Sequence, residues 1–495
     1  MVSMEFENEN FLGRGKKQSE SHWSQVFSVF SVSYLCISCG NFLGYTSSAV
    51  PSIIEDTDTF SEISHHEISW IGGLVPLGAM AGSLFALMPL AKLGARRTIF
   101  LFGSPALIFS WIIIGCANSV HMIFVGRFLG GVGTGIVIAC APLYVLEVAS
   151  VSIRGRLGIL PQFLMILGIL TSYIFGSFLN WRYLSLACGL ISLPSVILLI
   201  FTPDSPNWLV SKSCDDKALR VLQNLHGTNN AALLLQDLQD KFVQRLSQSN
   251  KIGGARKSMI NSGMIKASAV ALGIISFQQL TGINGVTFYA VTIFRESSGN
   301  GEMDAHFPSI ILASTQLIAS FISTLLVERY GRKILLTISS ILITIAGGCL
   351  GSFFYFFSTS SPEYLCWIPL ALLILFAFGF AIGFGPVAWI LIAEILPQET
   401  RHIMNPLIIA YNWFCVFLVT KSFPLLLLEI KIYGIFWLYA TIAFLGLLFV
   451  TIFVPETKGK TSEQIKNCFE KQSSVINNNN DHFNELKVIL SNGNN

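Results

Sequence analysis

The chain has 495 residues, 52% of them hydrophobic and only 12% charged, against roughly 25% charged in ordinary soluble domains. With a mean hydropathy of +0.63, that balance excludes a soluble globular enzyme and points to a polytopic membrane protein. Lys and Arg number 31 against 28 Asp and Glu, a net charge of +3, too even to suggest a nucleic-acid partner.

The polar, acid-containing start, Met1 to Ser21, lacks the basic region and short apolar core of a cleaved signal, so the first span is expected to target the membrane uncleaved. Twelve apolar runs long enough to cross a bilayer follow, near 24–53, 67–91, 98–117, 120–146, 157–178, 182–202, 265–293, 306–327, 334–356, 365–393, 403–425 and 432–454. One set of connecting segments holds Lys92, Arg96, Arg97, Arg154, Arg156, Arg329, Arg332, Lys333 and Arg401, while the other holds Arg182, Arg295, Lys431 and little else basic. Because Lys and Arg accumulate on the cytoplasmic side, both termini are predicted there. The first loop of the opposite face, Glu55 to Glu67, has acids and no Lys or Arg.

Residues 203–262 interrupt the apolar rhythm with Lys212, Lys217, Arg220, Lys241, Arg245, Lys251, Arg256 and Lys257. The chain therefore divides into a cytoplasmic segment 1–23, a six-helix bundle 24–202, a linker 203–262, a second bundle 263–454 and a cytoplasmic tail 455–495. In the linker, Leu235, Leu238, Phe242 and Leu246 recur every three or four residues, which predicts an amphipathic helix. The tail after Lys460, with Asn477 to Asn480, is expected to be disordered at its end. The ten cysteines lie mostly inside apolar runs without metal-ligand spacing and read as small core hydrophobes. Cys36 and Cys39 form a C-x-x-C in the first span but lack the polarised, accessible thiolate of a redox motif. No nucleophile and base pair, phosphate loop or metal cluster stands at workable spacing. Neither an enzyme nor a cofactor is expected.

Internal repetition decides the architecture. Glu147 and Arg154 end span four, and Glu394 and Arg401, the same seven residues apart, end span ten. Pro203 to Pro206 follows span six, as Pro455 to Gly459 follows span twelve. Basic turns after span two (Arg96, Arg97) and span eight (Arg332, Lys333) make a third pair. Three coincidences in one order predict duplicated six-helix halves.

These residues, together with Gly126-Arg127, Gly131, Gly133, Gly135, Pro142, Tyr144, Trp208-Leu209, Gln278 to Asn284, Glu328 to Lys333, Gly383, Gly385, Pro386 and Trp389, resemble the sugar porters of the major facilitator superfamily over about residues 25 to 465. The branch most similar is that of facilitative hexose carriers and trehalose transporter-like proteins. The resemblance implies an all-α membrane protein of the major facilitator fold: twelve transmembrane helices as two pseudo-symmetric six-helix bundles with a cytoplasmic helical linker. It also implies a sugar substrate and a lipid bilayer as the partners, with no nucleic acid and no obligate protein partner evident.

In such porters, acids and bases at the inner helix ends lock the halves when the carrier faces outward, and Glu147, Arg154, Glu328, Arg332, Glu394 and Arg401 match those positions. An exposed pair contributes about 0 to 1 kcal/mol, so a lock needs a network broken together; for an isolated residue, positive-inside topology suffices as the explanation. The first-half turn departs from the pattern, with Lys92 where an acid is usual and Ala95 where Gly is usual, so that half of the lock is expected to be weakened or rewired.

A sugar offers hydroxyls and apolar ring faces, so its pocket needs neutral amides beside an aromatic surface, and unpaired amides are unfavourable at membrane depth. Gln162, Gln278, Gln279, Asn284, Gln316 and Asn412 are such amides. By resemblance all but Gln316 match sugar-hydroxyl ligands, with Gln316 where Asn is usual; interhelical hydrogen bonding is the competing explanation for Gln162 and Gln316. Gln279 and Asn284 would stand about 140° apart on an unbroken helix, so a break at Gly282 and Gly285 is needed for them to converge. Gly383, Gly385 and Pro386 are expected to interrupt span ten and present Trp389. Trp389 and Trp413 resemble the aromatic residues of the cavity, the alternative being interfacial anchors. Tyr289 matches an aromatic external gate. Ala381 and Val416 replace polar residues of hexose carriers, leaving either a roomier site or a weakened one.

Proton-coupled porters carry Asp after the Gly-Tyr pair of span one, whereas here Thr46 follows Gly44 and Tyr45. A hydroxyl does not titrate usefully at physiological pH. The expected function is facilitated diffusion of a hexose or trehalose by alternating access at the plasma membrane. The alternatives are a carrier of polyols or other small polar solutes, and a transport-inactive sugar sensor, the latter motivated by Lys92, Ala95, Asn207 and Val416.

Overall fold

The computed structural model describes residues 23–60, 63–252, 262–298, 306–357, 367–396, 401–460 and 464, and among these every regular element is helical. Span one is Trp23–Glu55. Span two, His65–Phe85, opens on a capping box in which Ser64 and Glu67 satisfy each other's backbone N–H groups, and a short helix, Leu87–Leu93, follows it. Span three runs from Ala95–Thr98 through a wide turn, Ile99–Gly103, into Ser104–Gly115. Span four is Val120–Val148, span five Val151–Gly158 with Leu160–Gly176, and span six Trp181–Ser192 with Pro194–Phe201.

Three helices, Pro206–Ser211, Asp215–His226 and Thr228–Ile252, separate this half from the next. Leu209, Val210 and Ala218 bury a small core there, against which Leu235, Leu238 and Phe242 pack. Three residues of the predicted amphipathic stripe thus bind the longest linker helix to its neighbours, while the side chain of Leu246 lies outside the described residues.

Span seven is built of Ser262–Leu280, Ile283–Phe288 and Ala290–Ser298. Spans eight and nine are His306–Tyr330 and Arg332–Phe356, and span ten is Trp367–Ile382 with Pro386–Ile395. The last stretch, Arg401–Phe453, is helical except at Lys431 (φ 55°, ψ 175°), which divides it into spans eleven (401–430) and twelve (432–453). The expected runs are all present. Their ends differ by a few residues because hydropathy marks the hydrocarbon, whereas helices such as span eight continue past it to Tyr330. The expectation for the tail falls outside the described residues.

Small residues let the spans touch. A Cβ on Gly78, Gly82, Gly131 or Gly135 would overlap the backbone of the facing helix between spans two and four, as would one on Gly40 or Gly168 between spans one and five. Such contact is how helices associate where lipid tails are as apolar as Leu. The two halves meet through spans two and eleven and through spans five and eight. Cys36 and Cys39 are buried free thiols, consistent with core packing.

Candidate substrate site

Two broken helices organise the interior. At Gly282 the backbone turns left-handed (φ 90°, ψ 8°), a conformation that costs glycine little, and the Tyr439 ring occupies the space a Cβ would need. Gly285, expected to share in the break, lies inside the following helix instead. Span ten is interrupted at 383–385, and Pro386 opens its second helix, where a missing N–H costs nothing.

The break in span seven brings together amides that an intact helix would separate. Asn284 Nδ2 donates to Gln279 Oε1, and Gln279 Nε2 donates to Asn412 Oδ1 at 2.6 Å, so spans seven and eleven share one amide chain. Gln278 serves the other break: its Nε2 donates to Phe384 O at 2.6 Å and Gly385 O at 3.2 Å, carbonyls freed where span ten unwinds. Ser323 Oγ donates to Ile382 O at 2.7 Å, and Phe384 N donates to Ser339 Oγ at 3.2 Å. Sequence reading missed these two serines, since nothing in the local pattern marks a hydroxyl that serves a helix break elsewhere in the chain.

Gln278, Gln279, Gln316 and Asn412 are 2%, 6%, 7% and 7% exposed, and Gln162 and Asn284 are half-buried. Gln278 Oε1 and Trp413 Nε1 are buried without a hydrogen-bond partner, leaving one acceptor and one donor on the residues that precede Gln279 and follow Asn412. The side chains of Gln162 and Gln316 make no hydrogen bond among the described residues; they stand on spans five and eight, which pack together. Gln162 lies about 20° around the helix from Tyr173, whose hydroxyl donates to Thr287 O on span seven, so it faces the second half. Trp389 is the most open candidate, 36% exposed. The interhelical-bond explanation thus finds no bond at Gln162 or Gln316, while Trp389 is not enclosed with the amides.

The halves are bridged at the face opposite the linker. Tyr289 donates to Thr420 O at 3.1 Å, stacks on Phe423 with centroids 4.9 Å apart, and sets its hydroxyl against Gly72 of span two. Val291 N donates to Ser47 Oγ at 3.0 Å, and Arg295 pairs with Glu55 at 3.0 Å. Lys421 of span eleven reaches Ser69 and Trp70 of span two.

At the linker face the described ion pairs stay within each half. Glu394 holds Arg332 at 2.8 Å and accepts from Thr457 Oγ1 at 2.6 Å. Arg154 donates to Ala149 O at 3.1 and 3.2 Å, and Glu147 lies half-buried at the end of span four. The side chains of Glu328 and Arg401 lie outside the described residues. Gly94 (φ 81°) opens span three as Gly331 (φ 93°) opens span nine, which moves the expected alignment of the turns by one residue. Ala95 is therefore the counterpart of Arg332, and the glycine expected at Ala95 is present at Gly94.

Arg127 is fully buried in span four. It donates to Ile71 O at 3.1 Å, Phe42 O at 3.0 Å and Thr46 Oγ1, tying spans one, two and four. Its lone charge inside an apolar run was the signal that sequence reading left without a role. No carboxylate lies within ion-pair distance of it among the described residues, and the Thr46 hydroxyl gives the third guanidinium nitrogen its partner.

Residues 8–469 match the family model described as "Sugar (and other) transporter". The chain belongs to this family. It is a multi-pass membrane transporter of the sugar porter kind, not an enzyme. The facilitated trehalose transporter Tret1 of Bombyx mori is 38% identical over 445 residues, covering 90% of this chain and 86% of its own. The facilitated trehalose transporter Tret1-2 homolog of Drosophila simulans is 37% identical over 447 residues, covering 90% of each. Among solved structures, the proton:xylose symporter XylE bound to 6-bromo-6-deoxy-D-glucose aligns with a TM-score of 0.72 at 24% identity, covering 89% of this chain and 99% of its own. That likeness fixes the fold of this sugar porter as the major facilitator fold.

Proposed function

We propose that this sugar porter carries trehalose or a hexose down its gradient across the plasma membrane by alternating access, with both termini and the linker helices in the cytoplasm. The observation that carries the reading is the amide chain Asn284–Gln279–Asn412 at the break of span seven, with the unpartnered Gln278 Oε1 and Trp413 Nε1 on the residues next to it in sequence. Sugar hydroxyls both donate and accept, so they suit such a set without ionic cost. Gln162 and Gln316 supply polar groups from spans five and eight, Trp413 a buried apolar face, and Trp389, not enclosed with the amides, a more open aromatic surface. The functional units are bundles 24–202 and 263–454, joined by linker 203–262 and flanked by segments 1–23 and 455–495. Glu147, Arg154, Glu328, Arg332, Glu394 and Arg401 form the inner lock, and Tyr289 the external gate.

The relatives named as facilitated trehalose transporters favour the disaccharide. Facilitated diffusion follows from Thr46: where a titrating acid would couple protons, a hydroxyl accepts from Arg127. Uptake of labelled trehalose, glucose and a polyol by proteoliposomes tests the reading. Saturable flux of a sugar is expected, and replacing Gln279 with Ala is expected to weaken its apparent affinity by about 1 to 3 kcal/mol, the cost of leaving buried partners unsatisfied. Sugar binding without flux would instead favour a sensor.

A further inference from the structure

Lys421 is a cation inside an apolar span, a placement that needs compensation. No carboxylate lies within ion-pair distance of it among the described residues. Its compensation comes from the other half of the molecule: Nζ stands 4.1 Å from the centroid of the Trp70 ring and donates to Ser69 Oγ at 2.5 Å. The aliphatic stem lies over Gly73, where an added Cβ would come within 3.2 Å of Lys421 Cβ. The next residue back, Thr420, accepts the Tyr289 hydroxyl.

We infer that Lys421 is a positioning residue for transport, a latch that holds the face opposite the linker shut by placing its ammonium on Trp70 and Ser69. This rests on the alternating-access reading, because both contacts exist only while spans two and eleven are together at that face. When they part, the ammonium exchanges the ring and the hydroxyl for water, so the latch is worth the difference between cation–π contact and hydration. The contacts at Ser47 and Val291 are neutral hydrogen bonds, and the Arg295–Glu55 pair is exposed on both sides. Lys421 therefore supplies the charged, partly sheltered contact of this closure.

The test measures opening directly. Ser47 is 1% exposed in the closed face, so in an S47C background a membrane-impermeant maleimide applied to that face reacts in proportion to the open population, read at position 47 by mass spectrometry. K421M keeps the stem and removes the charge; it is expected to speed labelling about fivefold, the scale of a partly desolvated cation–π contact. W70L is expected to do the same, and the K421M/W70L double variant to be no faster than either single, since both remove one interaction. K421R, which returns a cation to the ring, is expected to restore the parent rate and to show that the fold tolerates change there.

Unchanged labelling in K421M would overturn the latch and leave Lys421 as a side chain reaching for the membrane surface. Additive effects in the double variant would also overturn it. Labelling reports opening without any sugar, so a failure here leaves the transport reading standing, while absence of sugar flux leaves the latch standing.

Discussion

The linker-face ends of the two halves solve the same problem differently. In the second half, Glu456 accepts from the backbone N–H groups of Arg332, Lys333, Thr457 and Lys458 at 2.9–3.1 Å, so the exit of span twelve caps the start of span nine. Arg332 beneath it pairs with Glu394. In the first half, Asp204 occupies the equivalent exit of span six but accepts from side chains, Arg96 at 3.3 Å and Arg97 at 2.6 and 3.2 Å. Ala95, the counterpart of Arg332, has no charge to offer an acid on span four. A carboxylate on backbone N–H groups fixes a helix start, whereas one shared by two long side chains can be re-paired. The first half therefore holds its linker-face end by contacts that can be exchanged more easily than those of the second half.

Breaking the second-half cluster has the largest expected effect. In E394Q, Arg332, only 10% exposed in its side chain, loses the Glu394 carboxylate; thermal unfolding of the purified protein should show a loss of about 2 kcal/mol, less than a fully buried pair because Glu394 is partly solvated. E456Q comes next, at about 1 to 2 kcal/mol, and it carries a pH signature. Partial burial pushes the Glu456 carboxyl up, but the backbone N–H donors outweigh burial and hold it below its ordinary value of 4.5. Its stabilisation is thus fully present above that value and lost as pH falls through the lower folded value. The gap in melting temperature between the parent and E456Q should be constant near neutrality and narrow as the pH falls below the ordinary carboxyl value of 4.5; a gap that widens in acid would contradict the capping role.

In the first half the effects should be smaller. D204N is expected to cost about 1 kcal/mol, since Arg96 retains the carbonyls of Leu199 and Ile200. R97A, removing a side chain that is 41% exposed, should cost no more than about 0.5 kcal/mol. If D204N proved more damaging than E394Q, the contrast between a fixed and an adaptable end would be wrong.

Much of this architecture is legible in the sequence because membrane depth restricts the choices. Apolar length gives the spans, and Gly282 and the Gly383–Pro386 run mark the two breaks. Intramembrane amides stand out against an apolar background, and the Glu/Arg spacing reveals the duplication. What the sequence hides is partnership at long range. Gln278 reads as a sugar ligand, yet its Nε2 holds the opened carbonyls of span ten, a role visible only when residues more than a hundred positions apart meet. The cross-half contacts of Lys421 and the carbonyl partners of Arg127 are hidden for the same reason. The equivalence of Gly94 and Gly331 is hidden because the basic residues after them differ in register, whereas the helix start is set by backbone conformation.

Passive sugar movement follows from a hydroxyl, Thr46, set beside Arg127, with no carboxylate within ion-pair distance of that guanidinium among the described residues. It is tested most directly by following labelled trehalose and glucose in proteoliposomes under an imposed inward proton gradient. The account predicts that internal sugar rises to the external concentration and stops there, with the same course when a protonophore is added. Accumulation above the external concentration that the protonophore collapses would contradict it.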